Sequence, residues 1–373
     1  MITSRLCQTA TAACALAAGV AGVAAAGSDE TTTVARVGRQ PQVAIDAEGR
    51  IHLVFGRGTA IFHARSDDGG RTFGAATRVG ELPALSLGMR RGPRVAAAGK
   101  SLVVAAIGGK EGRGRDGDLL AWRSDDHGRT WVGPTRVNSV EASAREGLHA
   151  IAARDDGVVA AVWLDDRNGR KQLWGATSRD GGASWDRDQL IYQSPERSVC
   201  ECCHPSVAWG DDGTLRVMWR NSLKSARDMY LTTSRDGGKT FGAASPLGTG
   251  RWILNACPMD GGAVAVAPGG RVATIWMRDG AVFEAEPNQN EHRLARGVQP
   301  WLAANRDGVY RVWLDRRPGT LFVQTPRDAA PVAIARGAVD PVVAAAPNPG
   351  GVVVAAWETA DGAVAARVLA PER

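Results

Sequence analysis

The residues most able to do chemistry in this 373-residue sequence are its thiols. Three of them stand together in Cys200-Glu-Cys-Cys-His204, and a fourth opens Cys257-Pro-Met-Asp260. Thiolates beside an imidazole and a thioether suit a soft ion, so Cys200, Cys202, Cys203, His204 and Cys257 are candidate ligands for copper or zinc. An even number of cysteines in an exported chain equally reads as a disulfide framework. Its simplest form joins Cys202 or Cys203 to Cys257. A redox-active dithiol is the third reading, and the spacing matches no standard zinc motif.

A second set of chemical groups is charged. Arg57, Glu146, Asp165, Arg220, Arg278, Asp315 and Arg316 fall at or just before the turns that bound short apolar runs. Such positions can clamp an anion or supply a carboxylate. The formal charge of +6 comes from arginines spread along the chain, with no basic run or aromatic ladder. That distribution gives a mildly cationic surface and argues against a nucleic-acid partner.

What must position these groups is a repeat. Four segments read S-x-D-x-G-x-[T/S]-[F/W]: Ser66 to Phe73, Ser124 to Trp131, Ser178 to Trp185 and Ser234 to Phe241. In each, a carboxylate (Asp68, Asp126, Asp180 or Asp236) can accept amides within a tight turn while a glycine takes a positive φ. These aspartates are therefore expected to be structural. Around them, seven short apolar runs recur, ending at Phe55, Ile107, Trp163, Trp219, Trp276, Trp313 and Trp357. Each follows another run that usually opens with proline. A period of roughly 40–55 residues with about four strands per unit is that of a propeller blade.

The four boxes resemble the Asp-box (BNR) repeat of sialidases and related propellers. The resemblance implies an all-β fold, a single β-propeller with the Asp boxes on the face away from the site. The repeat count predicts seven blades of four antiparallel strands, with the six blades of true sialidases as the alternative. The last unit lacks an outer strand, which Thr31-Thr-Thr-Val-Ala-Arg-Val37 can supply, closing the ring. The Cys-rich segment and Cys-Pro-Met motif also resemble a subgroup of sialidase-like propellers.

Sialidases hold a substrate carboxylate with three arginines and cleave with a tyrosine, a glutamate and an aspartic acid. Their Phe/Tyr-Arg-Ile-Pro motif is replaced here by Arg39-Gln-Pro-Gln-Val43. The chain has only three tyrosines, Tyr192, Tyr230 and Tyr310. Sialidase activity is thus doubtful, and catalytic residues stay unassigned. The alternatives are a propeller that binds a carbohydrate, a small anion or a protein at its channel mouth, and a diverged glycoside hydrolase of exo-sialidase type.

Anchoring the repeat on its prolines places Gln40, Gly92, Glu146, His204, Cys257, Gln299 and Asp340 around that mouth, so that the Cys/His cluster forms one site. Residues 1–26 carry Arg5, an alanine-rich apolar stretch and Ala24-Ala-Ala26, the pattern of a secretory signal peptide. The remaining 27–373 form the propeller domain. A secreted or periplasmic monomer without an integral membrane segment after signal removal is expected.

Overall fold

The computed structural model describes Met1 and residues 30–370, so the signal-peptide expectation lies outside the described residues. Among those described, every regular element is a strand, and none of them is a helix long and apolar enough to cross a membrane. The strands form antiparallel meanders, each running from the axis outward.

The first meander comprises Arg39–Ile45, Ile51–Arg57, Ala60–Ser66 and Thr77–Glu81. The second comprises Arg94–Ala98, Ser101–Gly109, Asp118–Ser124 and Val132–Arg136, with the short Ala84–Leu85 added against Ser101–Gly109. His149–Ala153, Val159–Asp165, Gln172–Ser178 and Gln189–Tyr192 make the third. Ser206–Trp209, Leu215–Arg220, Met229–Ser234 and Ser245–Pro246 make the fourth. The fifth is Gly262–Val266, Val272–Arg278, Ala281–Ala285 and His292–Arg296. Val298–Asn305, Gly308–Leu314 and Gly319–Gln324 form the sixth with the first part of the long strand Val332–Ala345. The second part of that strand opens a last meander with Val353–Glu358 and Val364–Ala370.

The outer position of the last meander is filled by Thr32–Ala35, which pairs Thr32 with Ala366 and Thr33 with Ala365. A chain terminus thus protects what would be an open strand edge. The inner strands pack side by side in order, and the last of them packs back on Arg39–Ile45.

The core repeats with the meanders. Second strands are buried along almost their whole length, as the unbroken apolar runs require. Val159–Asp165 is buried at every residue. The aromatic ends Phe55, Trp163, Trp219, Trp276, Trp313 and Trp357 are each at most 2% exposed. Burying one such side chain contributes roughly 1.5–3 kcal/mol. Separate apolar clusters fill the seam between each neighbouring pair of meanders, including the last and the first. Neighbours therefore stabilise one another around the ring, as a closed repeat fold requires.

The Asp boxes lie between the third and fourth strands of the first four meanders. In the second, Asp126 Oδ1 accepts the Thr130 amide at 2.8 Å and the Ser124 hydroxyl at 2.8 Å, while Ser124 Oγ accepts the Gly128 amide. Gly70, Gly128, Gly182 and Gly238 take φ of 89°, 83°, 86° and 87° at the same point of each box, a conformation that favours glycine. The turn chemistry read from Asp68, Asp126, Asp180 and Asp236 is what the hydrogen bonds display.

Candidate functional site

Strand direction decides which groups share a face. Inner strands start, second strands end and third strands start on the face opposite the Asp boxes, so their connections crowd one mouth. At the centre of that mouth the channel is filled by protein. The segment preceding Arg94–Ala98 crosses it, and Arg90 donates to the carbonyls of Gln299 and Pro341, both at 2.7 Å. Asp340 stands 3.8 Å from Arg90 Nε and 3.0 Å from Arg317 Nη2, and both Gln40 and Gln299 donate to its carboxylate. Asp260 Oδ2 accepts the Gln299 amide at 2.6 Å. Trp301 lies under Arg90 and stacks on His204, with ring centroids 5.5 Å apart. Sequence reasoning named Gln40, His204, Gln299 and Asp340 for this ring but missed Arg90, Arg94, Asp260 and Trp301.

Cys257 is not part of the ring. The inner strand of the fifth meander begins at Gly262, so anchoring on Pro258 sets the repeat too early, and the buried side chain that joins the ring is Asp260. Cys257 is exposed, and the four cysteines among the described residues are free thiols. The structure gathers Cys200, Cys202 and Cys203 alone, with Cys200 Sγ 3.7 Å from Cys202 Sγ and 3.6 Å from Cys203 Sγ. His204 turns away from them, and Gly261 lets its ring pack closely, since a Cβ there would stand 2.7 Å from His204 Nδ1. The single cluster of thiols, His204 and Cys257 expected from the sequence is therefore replaced by a three-thiol cluster with Met259 against it.

The cysteine segment is pinned on both sides. The Val199 amide donates to Lys171 O at 2.9 Å and the Cys200 amide to Arg220 O at 3.0 Å. Hydrogen bonding with the Cys202 and Cys203 sulfurs pulls the Cys200 thiol down, with the charges of Arg220 and Arg227 acting the same way. Those same bonds, made to Cys200 and to each other, push Cys202 up. Burial pushes Cys203 up to about 12.

The charged residues singled out in the sequence divide by role. Asp165 is fully buried and accepts from Ser143, Trp163 and Arg167, a bracing network. Arg220 is 1% exposed and donates to the carbonyls of Arg227, Asp260, Gly261 and Met277, tying the fourth meander to the fifth. Arg278 pairs with Glu291 and covers Phe283. Arg57 lies over Phe62, and Asp315 accepts amides within its own turn beside exposed Arg316.

Glu146 is different. It lines a cavity of about 570 Å³ with Ser86, Arg91, Glu111, Arg113 and Arg145, built from the insertions around the second meander. Arg91 Nε donates to the Glu146 carbonyl at 2.7 Å, which fixes the guanidinium against the wall. Lys171 Nζ lies 3.1 Å from the Glu146 carboxylate and 3.0 Å from Asp166, which also pairs with Arg145. Arg113, at φ 55°, has no ion-pair partner among the described residues. Three arginines against two glutamates leave the lining net cationic. The signal for this cavity was present in the lengths of the 81–92 and 108–118 connections, but its arginines sit in irregular loops that the strand repeat does not index.

Tyr192 is held on Trp219, ring centroids 4.6 Å apart, and its hydroxyl accepts from Asn221 at 2.8 Å. Tyr230 also packs on Trp219, with ring centroids 6.2 Å apart, and Tyr310 is buried in the core between the last two meanders.

Comparison with known proteins agrees with this architecture. The BNR repeat-like domain model matches residues 93–275. An α-L-arabinanase of Penicillium chrysogenum, solved with arabinobiose, superposes with a TM-score of 0.55 at 12% identity, over 91% of this chain and 98% of the enzyme. A Hadza microbial sialidase gives 0.54 at 15% identity, over 90% and 66%. The NanB sialidase of Streptococcus pneumoniae gives 0.53 at 11%, over 92% and 69%. No curated protein sequence matches the chain. At such identities the likeness is one of fold, an all-β propeller of the kind used by sialidases and arabinanases.

Proposed function

We propose that this chain, a member of the BNR/Asp-box sialidase-like β-propeller family, is an exported binding propeller that takes an acidic carbohydrate in the cationic cavity beside its channel mouth. The observation that carries the reading is the convergence of Arg91, Arg113 and Arg145 on one cavity of about 570 Å³. That volume is of the size that holds a sugar, and a few convergent charged groups in a concave site give orientation and specificity. Guanidinium groups bind carboxylates through paired hydrogen bonds, so the ligand class is a sugar acid or a sialylated or uronate-bearing glycan. The neighbours in fold include an arabinanase bound to arabinobiose and sialidases, which supports a carbohydrate over other anions.

The channel itself supports no ligand in this reading, because Arg90 and Trp301 occupy it. The Cys segment is a wall of the same face, connected through Lys171 to Glu146. It acts as a soft-metal site or a redox-controlled staple for that wall. A full-length monomer is the working unit. As for location, the pattern in residues 1–26 favours the periplasm or the outside of the cell.

A second reading, a diverged glycoside hydrolase, is favoured by Glu111 and Glu146 lining the same cavity, because hydrolysis requires a pair of carboxylic groups across one bond. Calorimetric titration with N-acetylneuraminate, glucuronate and neutral arabinobiose separates these ideas from one another when run beside a fluorogenic glycoside assay. Binding of a sugar acid, lost in Arg113→Ala and without turnover, is expected. Equal affinity for the neutral disaccharide would sink the anionic-sugar reading. Turnover that disappears in Glu146→Gln would establish the hydrolase instead.

A further inference from the structure

We infer that Cys200, Cys202 and Cys203 bind one Cu(I) ion in a buried three-thiolate site capped by Met259. The inference deepens the reading of the Cys segment as a soft-metal site, and it excludes His204 and Cys257 from the ligand set.

Geometry carries it. Two thiolates that each lie about 2.3 Å from one ion in tetrahedral array are separated by about 3.8 Å. Cys200 Sγ is 3.7 Å and 3.6 Å from the other two sulfurs, and all three lie within 4.8 Å of one another. That is far from the 2.0 Å or so of a disulfide, and a bond between the adjacent Cys202 and Cys203 would strain the chain. The cluster is already spaced as a ligand triad.

The donor set selects the ion. All three sulfurs are at most 7% exposed, and the side chain packed against them is a thioether. Structural zinc closes its shell with four thiolate or imidazole ligands. Here the one imidazole nearby, His204, stacks on Trp301 and is not grouped with the thiols. No carboxylate joins them either. Thiolate and thioether donors without nitrogen or oxygen favour Cu(I).

Charge favours the same ion. A Cu(I) tris-thiolate carries two negative charges, and the residue whose carbonyl accepts the Cys200 amide, Arg220, is a buried cation. Arg220 is locked by hydrogen bonds to four backbone carbonyls, so its charge is fixed beside the cluster whether or not the ion is present. Loading transfers no electrons. The three thiols give up their protons to solvent as the three Cu–S bonds form.

The test uses the reduced full-length protein under argon, titrated with Cu(I) presented as its bicinchoninate complex. The protein should withdraw one equivalent from the coloured chelator, and alkylation of the loaded protein should then label Cys257, and Cys7 and Cys14 where the N-terminal segment is retained, but none of Cys200, Cys202 and Cys203. Cys257→Ser should behave as wild type, and Met259→Leu should bind about tenfold more weakly. Cys203→Ser should leave the copper with the chelator. Should that variant fail to fold, the alkylation pattern of the wild-type protein still decides. The inference is overturned if the chelator keeps its copper and Cys200, Cys202 and Cys203 are labelled, or if zinc is retained while Cu(I) is not. Neither failure touches the sugar-acid cavity, which is tested without metal.

Discussion

Arg90 donates to the carbonyl oxygen of Gln299 at 2.7 Å across 209 positions of sequence, from the connection before the second meander to the opening strand of the sixth. A second donation, to Pro341, carries the same guanidinium to the last meander. One side chain therefore spans the axis and links blades that have no sequence neighbourhood. It also partners Asp340, which is 2% exposed and would otherwise rely on Arg317 and two glutamines.

Replacing Arg90 with methionine keeps length and removes the charge. Two carbonyls lose their donor and the buried Asp340 loses one of its cations, a change that typically costs about 3–5 kcal/mol. Urea denaturation of Arg90→Met should show a loss of that order with the slope of the transition unchanged. A loss below about 1 kcal/mol would mean that Arg317 alone neutralises Asp340.

Much of the scaffold was legible because its signals are local and repeated. Asp126 and its three counterparts announce their turns, and the run ending in Trp163 or Trp219 announces a buried strand. The orphan Thr31-Thr-Thr-Val segment announced the closing strand, found at Thr32–Ala35. The site was less legible for a physical reason. Arg90, Arg91, Arg113 and Arg145 act from irregular connections whose conformation depends on partners far away in sequence. Cys257 misled because proline marks a strand start in most units, whereas Pro258 precedes its strand by several residues. Asp165 and Arg220 were correctly placed near strand ends but serve as internal braces, and only their burial reveals that.

Ring closure gives a second prediction. Thr32–Ala35 covers the edge of Val364–Ala370 and brings Val34 and Ala35 onto the core shared by the last and first meanders. Deleting residues 27–38 should lower the melting temperature and promote association through the exposed edge. Thermal denaturation and light scattering read the two effects. An unaltered melting temperature would show that the last meander is stable with three strands.

A third prediction follows from the seam between the first two meanders on the Asp-box face. His52 Nε2 donates to Asp46 at 3.0 Å, so His52 Nδ1 must accept from His63 Nε2 at 3.1 Å. The ring of His63 packs directly on Gly128 of the neighbouring Asp box, where a Cβ would stand 2.5 Å from His63 Nδ1. Gly128→Ala should therefore destabilise by about 1–3 kcal/mol, through both the positive φ and the collision. Asn at this position tolerates the φ but not the contact, so Gly128→Asn should fare no better. Recovery of stability in Gly128→Asn would place the cost in the backbone alone.

The last prediction is the acid profile of stability, in which two sets of groups act in separate windows. Burial pulls His63 and His149 down from 6.5 to about 3, so both are neutral in the fold and protonate readily once unfolded. Below pH 6.5 the unfolded chain binds more protons than the native one, and stability falls as pH falls from there towards 3. The Asp boxes enter later. Burial slightly raises the Asp180 carboxyl, but hydrogen bonds from Ser184 and Ser178 outweigh it and bring it from 3.8 to about 2. A depressed carboxylate stabilises the fold above its unfolded value, and that contribution disappears as pH drops from about 4 towards 2. These carboxylates are largely exposed, so solvent screening keeps the contribution of each small. Chemical denaturation between pH 7 and 2 should give a steep decline already under way at pH 5. His63→Gln should flatten the slope between pH 6 and 4, whatever its effect at neutrality, and Asp180→Ala should flatten it only below 4. A decline that begins near pH 4 and is unaffected by His63→Gln would show that the buried histidines are not held neutral by the fold.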